Sequence, residues 1–178
     1  IWLGLVGSEM CIRDSDAPLA NDDDNNTNED TEITFSLVSN DVDFDGTIDA
    51  TSVDLDTTTP GIQSTFTNEF GTWTVNSSGQ ITYTPAEHYC GTATTNYVVN
   101  DNGGLTSNVA TITVIVECIN DAPIVDNEYL VTDEEVPVGG DLTDTNDYDV
   151  DGNLIVISST LIKNPSNGSI IVNPDGTF

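Results

Sequence analysis

Apolar and polar side chains alternate in short runs along much of the chain. The alternation is clearest for Trp73 and Val75, for Ile81 and Tyr83, and for Ile112 and Val114. An apolar residue at every second position predicts a strand with one buried face. Seven such runs lie near residues 17–21, 32–38, 51–56, 72–76, 80–84, 93–100 and 108–118. Because none has helical spacing, we predict an all-β fold, a seven-stranded antiparallel sandwich of two sheets.

The chain also repeats itself. Asp16-Ala17-Pro18 recurs as Asp121-Ala122-Pro123, and the acidic loop Asn40-Asp41-Val42-Asp43-Phe44-Asp45-Gly46 recurs as Asn146-Asp147-Tyr148-Asp149-Val150-Asp151-Gly152. A repeat of about a hundred residues has the size of one domain. We therefore divide the chain into a leader at 1–15, a first repeat at 16–120 and a second repeat at 121–178. The second repeat is expected to be truncated, because it stops where the first continues into Thr82.

The leader, IWLGLVGSEMCIRDS, does not share the repeat pattern. It lacks the charged start and small-residue cleavage site of a secretory signal, and it is too short to span a membrane. The segment resembles translated sequencing-adapter sequence, and a remnant of a preceding strand is the alternative. No role is predicted for Cys11, which lies in it.

Each acidic loop places three carboxylates at alternate positions and ends in a glycine, which can take the positive φ of a tight loop. The carboxylates are those of Asp41, Asp43 and Asp45 in the first copy and of Asp147, Asp149 and Asp151 in the second. Carboxylates this close repel one another, and no lysine or arginine is nearby. The pattern predicts a Ca²⁺ site, since Ca²⁺ accepts six to eight oxygens in loose geometry. A solvated turn is the alternative.

An EF-hand is a poorer interpretation of the first loop. Asp49 and Gly46 fall at matching positions, but Ser52 stands where that loop requires a bidentate glutamate. The flanking segments also have the alternation of strands and not of helices.

The charge of the chain is strongly one-sided. The chain has thirty-one acidic residues and two basic ones, Arg13 and Lys163, which give a formal net charge of −29. Nucleic acid and anionic membrane surfaces repel such a chain, so we predict neither as a partner and no direct membrane insertion. Weak carboxylate-rich calcium sites suit extracellular proteins, and the charge therefore favours an extracellular setting.

Cys90 and Cys118 flank the last predicted hairpin. Its turn centres near residue 104, so paired positions sum to about 208 and the two cysteines lie opposite each other. However, inward Tyr97 is odd-numbered and inward Ile112 even-numbered, which requires an odd-summed register or a bulge. We favour a disulfide, with two buried free thiols as the alternative. His88 has no partner residues for a zinc site and is expected to be an exposed loop residue.

Several motifs in a fixed order resemble the bacterial cadherin-like, Ig-like tandem repeats: NEDT at 28–31, NDVDFDG at 40–46, ITYTPAEHYCG at 81–91, VVNDNGG at 98–104, NVATITVIVE at 108–117 and NDAP at 120–123. The resemblance covers residues 16–178. It implies a non-catalytic repeat of a large secreted or surface adhesin-type protein.

The resemblance also implies calcium at the junctions between consecutive repeats. The ligands implied for the junction within this chain are Glu29, Asn120, Asp121, Asp149 and Asp151. Asp43, Asp45 and Asp101 would face a preceding repeat. Glu134 is the counterpart of Glu29 in the second copy, and the role of Glu87 is left open.

The sequence thus predicts a calcium-stabilised structural and adhesive module at the cell surface. Its partners would be neighbouring repeats of the same chain, with a cell-surface protein or glycan as a candidate target. An accessory carbohydrate-binding module of a secreted hydrolase is the alternative, and it would need exposed aromatics such as Trp73, Tyr83 or Tyr97. Catalysis is disfavoured, because the paired carboxylates have no partnering base or nucleophile.

Overall fold

A computed structural model describes residues 15–143, 146–152, 155, 157–158, 163 and 165–178. The predicted leader, with Cys11, lies outside the described residues except for Ser15. The chain divides between Cys118 and Ile119 into two compact units, called here the first and second units.

The described part of the first unit contains eight strands and no helix. They are β1 (Asp23–Asn28), β2 (Ile33–Ser36), β3 (Ile48–Asp54), β4 (Thr65–Asn68), β5 (Gly71–Val75), β6 (Gln80–Pro85), β7 (Gly91–Asp101) and β8 (Ala110–Glu117). One sheet has the order β1-β8-β7-β3 and the other the order β2-β6-β5-β4. Neighbouring strands are antiparallel except for β1 and β8, which are parallel. The all-β sandwich is confirmed.

The core lies between the inner faces of the two sheets and follows the alternation of the sequence. Trp73 of β5 and Tyr83 of β6 are fully buried and stack with their ring centroids 4.0 Å apart. The opposite sheet contributes Tyr97 of β7 and Ile112 and Val114 of β8, all fully buried. The buried phenol of Tyr83 donates a hydrogen bond to the Phe70 carbonyl at 2.6 Å, which satisfies its polar end.

Two elements differ from the seven predicted strands. The run at 17–21 contributes a single bridge, between Leu19 and Val42, and the strand that follows it is β1. The sequence of β1, DDNNTN, has no apolar residue, so alternation could not reveal it. β4 was also missed, because it is a four-residue edge strand paired only with β5. Edge strands such as these are fixed by main-chain pairing more than by burial.

The disulfide between Cys90 and Cys118 is confirmed, with a Cα–Cα distance of 5.0 Å. The β7–β8 register pairs Tyr97 with Ala110 and Gly91 with Val116, so paired positions sum to 207. The hairpin therefore has the odd-summed register that the parity of the inward residues requires. Its turn lies at Asp101–Leu105, where the Gly104 amide donates to the Asp101 carbonyl at 3.1 Å.

The second unit repeats local contacts of the first. Its described residues form isolated bridges between Ile124 and Tyr148 and between Asp141 and Thr177. The first of these corresponds to the Leu19–Val42 bridge. Both units also contain a tight turn in which a glycine amide donates to an asparagine carbonyl, from Gly79 to Asn76 at 3.0 Å and from Gly176 to Asn173 at 3.1 Å. The sequence repeat is thus also a repeat of backbone contacts.

We expect the Trp73→Ala substitution to lower the free energy of unfolding of the first unit by about 3–5 kcal/mol, because it leaves a cavity beside Tyr83 in the core. Urea unfolding followed by circular dichroism measures the loss. Thr74→Ala, at the next and outward-facing position, is the matched control and should change the free energy by no more than about 0.5 kcal/mol. Equal losses in the two variants would contradict the assigned faces of β5.

Candidate metal centre

The first acidic loop is folded by one of its own carboxylates. Oδ1 of Asp43 accepts hydrogen bonds from the Asp45 amide at 3.1 Å and the Gly46 amide at 2.9 Å. Oδ2 of the same carboxylate is buried and has no hydrogen-bond partner. A buried anionic oxygen without a partner is costly, and a cation relieves that cost.

Gly46 closely approaches two side-chain oxygens. A Cβ atom on Gly46 would lie 2.5 Å from Oδ2 of Asp43 and 2.6 Å from Oδ1 of Asn102, so a larger residue would require both side chains to shift. The expected positive φ is wrong for Gly46, whereas Gly152 of the second loop has φ 70°. The missing Cβ of Gly46 opens a small cradle lined by side-chain oxygens.

The turn between β7 and β8 adjoins this loop. Asn102 donates its amide to the Thr47 carbonyl at 2.9 Å, and its Oδ1 accepts the Thr47 amide at 3.2 Å. Asp101 is 2% exposed, and its Oδ1 accepts the amides of Gly103 at 2.8 Å and Leu105 at 2.7 Å. The hydrogen bonds of Asn102 therefore hold the acidic loop against the turn that carries Asp101.

Asp45 holds the segment through which the chain enters the first unit. Both of its carboxylate oxygens lie 3.3 Å from the Asp16 amide, which donates to them. Asp43, Asp45 and Asp101 do not offer three oxygens within 4.8 Å of one another, although all three belong to the described residues. The donors are nonetheless all oxygens, which fit a hard cation such as Ca²⁺, and their side chains would have to move closer together to surround it.

Asp41 is held by structural contacts. Its carboxylate accepts the Asn21 amide at 2.9 Å and the Tyr97 hydroxyl at 2.9 Å, and burial raises its pKa. Asp49, from the EF-hand comparison, lies within β3 and accepts the amide and hydroxyl of Thr51. The carboxylates of Asp41 and Asp49 are therefore both engaged in hydrogen bonds with neighbouring groups of the protein.

Two hydrogen bonds of the first acidic loop recur in the second. Asp147 accepts the Asp126 amide at 2.9 Å, as Asp41 accepts that of Asn21. Asp149 accepts the amide of Asp151 at 2.9 Å, as Asp43 accepts that of Asp45.

The segment that leads into the second unit is also held by its acidic loop. Asp151 accepts the Asp121 amide at 2.6 Å, as Asp45 accepts that of Asp16. The side chain of Asn120 donates to the Asp121 carbonyl at 2.7 Å, and Glu134 is exposed. Hydrogen bonds thus connect Asp121, Asp149 and Asp151 within the second unit.

A different group of metal-type side chains lies at the opposite end of the β7–β8 hairpin. Glu29, Asp30 and His88 each place a ligand atom within 4.8 Å of the others. Glu29 is 6% exposed and donates its amide to the Glu117 carbonyl at the end of β8. Nδ1 of His88 lies 3.4 Å from Oδ2 of Asp30, while Glu87 approaches Nε2 at 3.7 Å.

Sequence reasoning predicted Glu29 but missed Asp30 and His88. Both occupy left-handed backbone conformations, with φ 53° and 55°, and the His88 amide donates to Oδ1 of Asp30 at 3.0 Å. The only sequence signal was the nearness of His88 to Cys90, because the disulfide holds that loop at the end of β8 beside Glu117.

Tyr97 also lies close to a buried carboxylate that no prediction included. Asp23 of β1 is 8% exposed, and its Oδ2 has no hydrogen-bond partner. Burial is the main cause that raises the pKa of Asp23, polar contacts with Tyr97 and Asn40 lower it, and the neighbouring charges of Asp41 and Asp24 add to the rise, so that the pKa is about 6. Burial also raises the pKa of Tyr97 above its usual range, so its hydroxyl stays protonated.

Trp73, Tyr83 and Tyr97 are fully buried. They cannot stack against a sugar, so the aromatic platform that the carbohydrate-binding alternative needed is not formed by these three residues. Among the residues described, no helix has the length and apolar character to cross a membrane.

Two protein-family models match the chain. The bacterial cadherin-like domain matches residues 15–117, and the bacterial Ig domain matches residues 120–178. No curated protein matches the chain. Cadherin-like domains are generally calcium-binding, and both kinds of domain are typically non-enzymatic and found in surface or extracellular proteins.

We expect Asp23→Asn to change how the stability of the first unit depends on pH. The pKa of Asp23 is higher in the folded state, about 6, than its ordinary value of 3.8, so the folded state binds this proton more tightly. The stabilising contribution of the proton is fully present below about pH 4 and is lost as the pH rises to about 6. At pH 7, Asp23→Asn should therefore raise the free energy of unfolding by up to about 3 kcal/mol relative to the wild type.

Urea unfolding of both proteins between pH 4 and 7, with EDTA present, measures this difference. The control Glu32→Gln removes one charge from an exposed position and should give a curve parallel to that of the wild type. If Asp23→Asn also follows the wild type at a constant offset, the raised pKa of Asp23 is wrong.

Proposed function

Because the chain belongs to the bacterial cadherin-like domain family, we propose that it is a non-catalytic structural and adhesive repeat of an extracellular bacterial surface protein in which Ca²⁺ stiffens the junctions between successive repeats. The observation that carries the proposal is the buried, unpartnered Oδ2 of Asp43, beside the cradle at Gly46. This oxygen gains a partner when a cation binds.

The negative charge of the chain favours a bound cation beside Asp43. A formal net charge of −29 opposes compaction, and the described side-chain groups that contact this loop and the adjoining turn are carboxylates and amides. A divalent cation bound by Asp43 and Asp101 would offset their repulsion. An all-oxygen donor set that must adjust its geometry suits Ca²⁺ better than Mg²⁺, which demands near-ideal octahedral coordination.

The contacts of Asp45 suggest how such an ion would stiffen the chain. Asp45 already holds the Asp16 amide, so an ion that fixes Asp45 also fixes the segment leading into the repeat. The corresponding contact in the second unit, from the Asp121 amide to Asp151, provides the same connection there. Each repeat would thus restrain its own incoming segment when calcium binds to its acidic loop.

The disulfide supports the extracellular part of the proposal. Disulfides persist in oxidising compartments, and the half-exposed Cys90 and exposed Cys118 would be reduced in a reducing one. Neighbouring repeats are the proposed partners of the chain, and the target of adhesion is proposed to be a cell-surface protein or glycan.

We expect calcium to raise the melting temperature of the first unit. Extracellular calcium modules bind with dissociation constants of about 10⁻⁴–10⁻³ M. At 10 mM calcium one such site adds about 1.4–2.7 kcal/mol, which is at least about 5 °C for a domain of this size. Tryptophan fluorescence during heating, which changes when buried Trp73 becomes exposed, measures the shift between 10 mM calcium and excess EDTA.

Asp43→Asn should abolish most of this calcium-dependent gain without lowering stability in EDTA. Asparagine keeps an Oδ1 acceptor for the Asp45 and Gly46 amides and removes only the charge and Oδ2. Asp56→Asn is the matched control, because it removes one charge from the β3–β4 loop and should keep the full gain. A wild-type protein that melts at the same temperature with calcium and with EDTA would refute the calcium role.

A further inference from the structure

The parallel pairing of β1 with β8 is an exception among the strand pairs of the first unit. It joins Asp23–Asn28 to Ile112–Glu117 over six residue pairs. The Glu29 amide extends it by donating to the Glu117 carbonyl at 2.9 Å. At the other end, Oδ1 of Asp22 accepts the Thr111 amide at 2.7 Å.

Asn108 adds a double contact ahead of β8. Its Oδ1 accepts the Ala20 amide at 3.0 Å, and its Nδ2 donates to the Ala20 carbonyl at 2.9 Å. The pairing is therefore continuous from Ala20 to Glu29 on one side and from Asn108 to Glu117 on the other. We call this pairing the β1–β8 clamp.

The direction of the two strands determines how the clamp responds to tension. The chain enters the first unit ahead of β1 and leaves it after β8, at Cys118. Tension on the two chain ends pulls these parallel strands in opposite directions along their own axes. All of the hydrogen bonds between the strands are then loaded together, whereas an antiparallel pair with the same attachments would open one bond at a time.

The disulfide lies at the carboxyl end of β8, where tension from the second unit reaches the clamp. Cys118 follows β8 directly, and Cys90 precedes β7, so tension at Cys118 also reaches the start of β7. The bond closes a loop with a sequence separation of 28 residues that contains β7 and β8. This loop cannot be extended while the bond is intact.

We propose that the first unit is a load-bearing module, in which the β1–β8 clamp resists tension by shear and the Cys90–Cys118 disulfide limits how far the unit extends after the clamp breaks. The proposal does not depend on calcium, because the bonds of the clamp involve no oxygen of the acidic loop. It assigns a mechanical role to the polar strand β1, whose side chains contribute little to the core.

Single-molecule stretching of the full chain, with handles fused to its two ends and EDTA present, tests the disulfide. Unfolding of the first unit should release a contour length that is shorter by about 100 Å in the oxidised than in the reduced protein, the span of the 28 residues at about 3.3–3.6 Å each. The double variant Cys90→Ser, Cys118→Ser should match the reduced protein without reductant. Equal lengths in the oxidised and reduced proteins would overturn the limiting role.

Asn108→Ala tests the clamp, because it deletes two hydrogen bonds to Ala20. At constant force on the chain ends, its first unit should unfold about tenfold faster than that of the wild type. Asn96→Ala, on the exposed face of β7, is the matched control and should unfold at the wild-type rate.

A second pulling direction distinguishes shear from a general loss of stability. With one handle moved to Ser77 in the β5–β6 turn and the other at the carboxyl end, tension no longer passes through β1. Asn108→Ala should then unfold at close to the wild-type rate. An equal acceleration in both pulling directions would show that Asn108 stabilises the fold without bearing load, and the clamp would be refuted. Because EDTA is present throughout, failure of the calcium proposal leaves this test unchanged.

Discussion

The register of the β7–β8 hairpin fixes the positions of the candidate site residues in the first unit. The hairpin occupies the centre of its sheet, and its odd-summed pairing turns Tyr97, Ile112 and Val114 into the core. Its turn carries Asp101 and Asn102 to one end of the unit. At the other end the disulfide holds the loop with His88 beside Glu29, which is itself bonded to the last residue of β8. A shift by one residue would reverse the inward faces and separate both groups.

Carboxylates are partnered mainly by backbone amides in this acidic protein. Asp43, Asp101 and Asp149 each accept amides from residues that follow them closely, as aspartates of ordinary turns do. The turn interpretation and the calcium interpretation of the acidic loop are therefore compatible. One oxygen of Asp43 folds the loop, and the other remains without a partner. Aspartate is needed for both roles together, because asparagine would supply only the first.

The sequence predicted best those features that depend on burial. β5, β6, β7 and β8 alternate because one face of each meets the core, and the disulfide followed from the position of the hairpin turn. β1 and β4 could not be found in this way, since main-chain pairing at a sheet edge leaves little trace in side-chain pattern. The two acidic loops were found through their repetition, and the shared bonds of Asp45 and Asp151 show that the repetition extends to geometry.

Other parts of the candidate site depend on contacts between distant residues. Gly46 was expected to supply an unusual backbone angle, but its role is to leave space for the oxygens of Asp43 and of Asn102, which lies far along the chain. The pairing of Asp30 with His88 likewise joins two turns that no local pattern connects. Asp41 has the side chain of a calcium ligand, but its carboxylate already accepts hydrogen bonds from the Tyr97 hydroxyl and the Asn21 amide. Local spacing identifies possible ligands, whereas tertiary contacts decide which oxygens are available.

Tension on the incoming segment reaches the proposed calcium site before it reaches the β1–β8 clamp. Tension that enters at Asp16 first meets its contact with Asp45, then the Leu19–Val42 bridge, and only then the bonds of Ala20 with Asn108 and the shear pairing of β1. Because these contacts are loaded one after another, the contact of Asp16 with Asp45 opens first. A weakly bound ion at Asp45 would therefore release the incoming segment before the sandwich itself is damaged. The junction could then lengthen reversibly under moderate tension, while unfolding of the core would require the clamp to break.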